Sequence, residues 1–210
     1  MKKILTIIMA FALLLSFGSC AKTAQPDLQD DIEQDEVTAE PFESMDINYI
    51  ESNYYLYPSL DELVDDADLI VIASTDTTFT DAKATINNQF NEQAQNENDI
   101  SLAHSYTARD YKVHKVIKGA KDIKNVSVAE SAVMIGDSIL ATEGEYIAKK
   151  NVKYILFLKQ AVNTPGIYYA ALKQGKFCTD GKDSSSIKQV DQKMLNEIKK
   201  EYKNEFKENK

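Results

Sequence analysis

The sequence predicts a mainly β protein, a small antiparallel β-barrel preceded by a short helix and followed by a C-terminal amphipathic helix. Three observations predict it. The apolar segments between residues 69 and 178 are short, rich in β-branched and aromatic residues, and separated by polar or glycine-containing turns. Five or six such segments fall within about 110 residues, which suits a closed small sheet better than an alternating α/β array. Helical period is clearest in two stretches, after Pro58 and after Ser186, that flank the strands.

The chain begins with a basic pair, Lys2 and Lys3, followed by fourteen apolar residues, Ile4 to Phe17. As a helix that run covers about 21 Å, short of the roughly 30 Å hydrocarbon core of a bilayer. Gly18-Ser19-Cys20-Ala21 follows. The pattern is that of a secretory signal ending in a lipobox, and it resembles bacterial lipoprotein precursors. The resemblance implies cleavage after residue 19 and a diacylglycerol on the Cys20 thiol. Two acyl chains hold a protein stably on a membrane that it does not span. A plain secreted protein cut near Ser19, or an uncleaved anchor, is the alternative.

Residues 20–48 read as a tether. Between 21 and 48 there are nine acids and one base, Lys22, so like charge and low hydrophobicity disfavour folding. Its simplest role is to hold the folded part away from the bilayer; a specific acidic docking tail is the other reading. The folded domain is expected over 49–181, opening on Tyr49, Tyr54, Tyr55 and Tyr57. Ser59 and Glu62 then make a capping box, with Leu60, Leu63, Val64 and Ala67 on one apolar face.

Leu69 to Ala73 is a continuous apolar run that continues into the Thr-rich Ser74 to Thr80, read together as one long strand. Residues 81–104 hold five Asn and three Gln and read as a polar insertion, with a short helix carrying Ile86, Phe90 and Ala94. Strand character resumes over Tyr106 to Ile117, where Thr107, Arg109, Tyr111 and Val113 share one face. Further strands are expected at 126–129, around Ile139-Leu140, at 153–158, at 167–172 and at 176–178. Residues 182–210 form the final element, one amphipathic helix of about five turns through Ile187, Val190, Met194, Ile198, Tyr202 and Phe206. Its apolar stripe either packs on the sheet or docks a partner.

Composition excludes several classes. With 24 basic and 33 acidic residues the net charge is −9, and loss of Lys2 and Lys3 with the signal makes it −11. Such a chain has no basic excess to displace counterions from phosphates, so no nucleic acid is expected as a partner. Two cysteines cannot build a disulfide scaffold, and two histidines leave little for a metal centre. No cofactor is expected.

Three blocks carry a second resemblance: Ser59 to Val71, Tyr111 to Gly119 and Asn151 to Lys159. In order and spacing they resemble a group of secreted proteins, many from Gram-positive bacteria, over residues 57 to 181. The layout is also similar to the OB-like barrel of tissue inhibitors of metalloproteinases. The resemblance implies an OB-like antiparallel barrel. The zinc-chelating mechanism of those inhibitors does not carry over, because it needs a free N-terminal cysteine and Cys20 is acylated and remote from the fold. Asn151 stands where the group has a turn glycine, and Asn tolerates the left-handed region.

Catalytic signals are weak. Gly136-Asp137-Ser138 looks like the nucleophile block of GDSL-type esterases, but no histidine follows His114 to serve as base, so Gly136-Asp137 reads as a hairpin turn. A converging carboxylate pair, as in glycoside hydrolysis, stays open because acids are abundant throughout. Cys178 reads as a small, partly buried strand residue. The candidate ligand-binding residues are Tyr49, Tyr54, Tyr55 and Tyr57, either a lid over the core or a stacking platform, with Phe90 in the 81–104 insertion. The expectation is a lipid-anchored, extracytoplasmic, non-catalytic module for an envelope protein, peptide or glycan. The alternatives are a carboxylate-dependent envelope hydrolase and a structural envelope component.

Overall fold

The computed structural model describes residues 39–85 and 105–206. Its strands are β1 (Asp46–Ile50), β2 (Leu69–Ser74), β3 (Lys83–Thr85), β4 (Tyr106–Lys118), β5 (Asn125–Glu130), β6 (Ala132–Ile135), β7 (Ser138–Thr142), β8 (Tyr154–Gln160), β9 (Ile167–Ala170) and β10 (Lys176–Cys178). The α-helices are α1 (Leu60–Asp66), α2 (Ser186–Gln189) and α3 (Gln192–Glu201).

Five strands close a barrel in the circular order β2, β4, β5, β9, β8 and back to β2. Taken along the chain as barrel strands one to five, this is the order 1-2-3-5-4-1 of an OB-like barrel. Every pairing in the ring is antiparallel except β5 with β9, which is parallel. The free edge of β8 is divided, Tyr154 to Leu156 pairing with β10 and Leu158 to Gln160 with β9. Two register shifts between β2 and β4 supply the local twist that lets so few strands close.

The continuous apolar run of β2 has a direct cause. Leu69, Val71 and Ala73 face the barrel interior with Tyr111, Val126, Val128, Tyr154, Leu156 and Leu158. Ile70 and Ile72 face outward, where Ile155, Phe157 and Phe177 join Leu60 and Leu63 of α1 and Met194, Leu195 and Ile198 of α3. A strand covered on both faces has no polar side to show. Ser59 caps α1 as expected, its hydroxyl accepting the Glu62 amide at 3.3 Å.

A β6–β7 hairpin, turning at Gly136-Asp137, fills the connection between β5 and β8, and β1 adds to it in parallel. This corrects the tether boundary at residue 48. Pro41–Ser44 forms a 3-10 turn, Phe42 is buried against Phe79 and Ile139, and β1 belongs to a sheet. Phe42 and Ile47 supply apolar anchors that the surrounding acids mask in a composition average.

Two further expectations need correction. The strand over 69–80 ends at Ser74, since Thr75 accepts the Thr77 amide through its hydroxyl and Thr78 bonds Asp81, side-chain bonds that favour a turn. The C-terminal helix is broken at Val190, which is buried in an extended conformation. Asp191 starts a new helix by accepting the Met194 amide at 2.8 Å. Asn151 does adopt the left-handed region, at φ 59°.

Candidate functional site

The outward residues of the barrel's second and third strands line an open polar cleft of about 760 Å³. Alternation along β4 turns Arg109, Tyr111 and Val113 inward and Asp110, Lys112 and His114 outward. The register then sets Asp110 opposite Ser127, and Lys112 between Asn125 of β5 and Ser74 of β2. Asp76 and Asn151 complete the rim.

His114 Nε2 and Ser74 Oγ share a hydrogen bond of 2.8 Å. Partial burial, with the Lys153 and Lys112 ammonium groups nearby, lowers the histidine below its ordinary value, so the ring is neutral at pH 7. A serine–histidine bond is the first half of a hydrolytic relay. Among the described residues no carboxylate hydrogen-bonds the other ring nitrogen to orient it. What the cleft offers is a set of donors and acceptors of both signs on the sheet, with no Phe, Tyr or Trp among its lining residues.

Behind this face lies a buried ionic network that sequence reasoning missed. Arg109 donates from Nε to Glu130 Oε2 at 2.9 Å and from an amino group to Oε1 at 2.8 Å. Two further hydrogens reach the carbonyls of Thr77 and Ala148, at 3.1 and 2.6 Å. Lys176 bridges Glu130 at 3.2 Å and Glu145 at 2.5 Å. Burial opposes ionisation of Glu130, but Arg109 and Lys176 outweigh it and hold its carboxyl below the ordinary range. Burial instead raises Glu145, while Lys176 stays charged because its two carboxylate partners outweigh desolvation. Two cations thus balance two acids in the interior.

The network pins both backbone groups of Ala148, whose amide donates to Glu130 at 3.0 Å, and the Ser131 amide, which donates to Glu145 at 2.8 Å. It holds the loop before β8 and the β5–β6 connection to the strands that carry the cleft. Glu130 was findable: it continues the inward alternation of Val126 and Val128, one strand from an inward Arg109. Lys176 and Glu145 carried no such signal, because their meeting depends on long-range register. Glu130 and Glu145 are the acids brought closest to a shared cation in the interior, and both are buried beyond reach of a polymeric substrate. The acids at the open cleft are Asp76 and Asp110.

The tyrosines do not form one platform. Tyr49 is 52% exposed on β1. Tyr54 packs against Gly144, and the Lys173 ammonium lies 5.5 Å from its ring centre. Tyr55 and Tyr57 meet edge to face at 5.0 Å; Tyr55 donates to Glu62 and Tyr57 to Asp66, at 3.2 and 2.5 Å. These bonds tie the segment before α1 to the helix itself, and Gln174 bonds the Tyr57 backbone on both sides. Cys178 is half-buried on β10. Phe90 and Cys20 lie outside the described residues, and among those described no cluster of His, Cys, Asp or Glu is arranged to hold a metal ion. Comparison of the chain with protein-family models, with curated proteins and with solved structures finds no match.

Proposed function

We propose that this chain is a lipid-anchored, extracytoplasmic binding module without catalytic activity, whose ligand face is the cleft over β2, β4 and β5. One observation carries the reading: a rigid OB-like barrel presents a large, open, polar concavity on the strands that such barrels use for extended ligands. The lining of Asp, Asn, Ser, Lys and His side chains suits the amide donors and acceptors of an extended envelope peptide. A glycan would call for stacking on a large ring, and the cleft has no Phe, Tyr or Trp to supply it.

The anchor rests on Lys2-Lys3, the apolar run and Cys20. Among the described residues no helix is long and apolar enough to cross a membrane. The acidic segment after Cys20 is repelled by anionic headgroups, which favours display away from the bilayer.

Three experiments test this. A photo-crosslinking residue at Asn125 should capture one envelope partner in cells, and Ser127→Trp, which fills the cleft, should abolish that capture without changing the melting temperature. Equal capture with and without Ser127→Trp would remove the cleft from the interaction. Cys20→Ala should release the protein into the medium and abolish labelling by a fatty-acid analogue; continued membrane attachment would refute the anchor. Loss of the biological effect in Asp76→Asn or Asp110→Asn, with partner capture retained, would favour a hydrolase instead.

A further inference from the structure

A second concavity, remote in chemistry from the polar cleft, lies between β10 and the C-terminal helices. It encloses about 330 Å³. Phe177, Val190 and Leu195 form its buried apolar floor, and Ile187 and Phe206 stand at its sides. Ile187 remains 42% exposed on α2, an apolar side chain left beside an opening. Val190, extended between α2 and α3, lies on the cleft floor with Ile187 before it and Leu195 after it.

Two cations face this opening. Lys199 and Lys203 are exposed, four residues apart at the end of α3 and in the turn that follows. Among the described residues neither side chain has an ion pair or a hydrogen bond. Both side chains line the concavity, where their ammonium groups can donate charge-assisted hydrogen bonds to an anion. The Asp183 carboxylate on the opposite wall is already partnered: it accepts hydrogen bonds from Tyr154 at 2.7 Å and Ser185 at 2.6 Å and lies 3.8 Å from the Lys149 ammonium.

We propose that this cleft binds a single-chain amphiphile with an anionic head, a medium-chain fatty acid, its chain on Phe177, Val190 and Leu195 and its carboxylate between Lys199 and Lys203. The volume lies at the lower end of the roughly 300–1,000 Å³ of small-molecule sites, room for one chain and not for a two-chain lipid. The site is independent of the polar cleft, so failure of either leaves the other standing.

The test uses the full chain carrying Cys20→Ala, which removes any acyl group of its own and the need for detergent. Laurate, kept below its micelle concentration, should bind one per chain by calorimetry. It should also slow alkylation of Cys178, which lines the cleft, by about tenfold or more. Dodecyltrimethylammonium, with the same tail and the opposite charge, should do neither. The double variant Lys199→Gln/Lys203→Gln should weaken laurate about tenfold or more, as expected for loss of charge-assisted hydrogen bonds. Ile187→Trp, at an exposed position, should block the opening with the melting temperature unchanged. Absence of saturable laurate binding, equal binding of the two amphiphiles, or wild-type affinity in the lysine variant would each overturn the proposal.

Discussion

Replacing Arg109 by Met tests whether the interior charges hold the barrel together. In the native fold Arg109 and Lys176 balance Glu130 and Glu145, and the Arg109 and Glu130 side chains are both 0% exposed. Arg109→Met leaves one cation against two buried acids and removes the donors to the carbonyls of Thr77 and Ala148. Breaking one side of a buried pair costs about 3–5 kcal/mol. With two carbonyls also orphaned we expect about 4 kcal/mol, a large part of the roughly 5–15 kcal/mol that stabilises a domain. The double variant Arg109→Met/Glu130→Met restores balance, because Lys176 keeps Glu145. It should be more stable than the single variant by about 2 kcal/mol, although the Ala148 amide, which keeps Glu130 as acceptor in the single variant, loses it in the double. Urea unfolding followed by circular dichroism measures each value; the chain has no tryptophan to report by fluorescence. A cost below about 1 kcal/mol for Arg109→Met, or a double variant no more stable than the single, would refute the argument.

Other perturbations follow from single residues. Glu40 is 5% exposed, one of its carboxylate oxygens has no hydrogen-bond partner, and burial raises it above its ordinary 4.5. The folded state therefore keeps that proton to higher pH than the unfolded chain, and the ionised group costs stability as pH rises above about 4.5. Glu40→Gln should match the wild type in unfolding midpoint near pH 4 and exceed it by about 1 kcal/mol at pH 8; an unchanged difference across that range would contradict this. Asn151→Gly should stay within about 0.5 kcal/mol of the wild type in chemical unfolding, whereas Asn151→Val should lose about 2 kcal/mol, because a β-branched residue resists positive φ. A Cβ on Gly175 would lie 2.3 Å from the Ala171 amide nitrogen, so Gly175→Ala should lower stability by about 1–3 kcal/mol and loosen the turn before β10, seen as faster amide exchange at Lys176.

The barrel was legible because its signals are local. The β-branched run of β2, the inward set Thr107, Arg109, Tyr111 and Val113, and the Ser59 cap each follow from a few neighbouring residues. Residues 39–48 were not, since Phe42 and Ile47 gain their burial from a hairpin about 90 residues later in the chain. The polar cleft was hidden for the same reason. Ser74, Asp110, His114, Asn125 and Asn151 are ordinary surface residues until register sets them side by side. The tyrosines misled by proximity in sequence: four rings within nine positions meet different neighbours because β1 ends at Ile50 and an irregular segment leads from it to α1.

The parallel docking of β1 on β7 has a mechanical consequence. Tension arriving from the N-terminal side pulls β1 along its own axis, so the five paired positions from Asp46 to Ile50 are loaded in shear and must yield together. A hairpin pulled apart from one end opens one bond at a time. With Phe42 wedged beneath the same sheet, the N-terminal attachment resists a steady drag, and the strands that carry the cleft lie behind that point in the path of force.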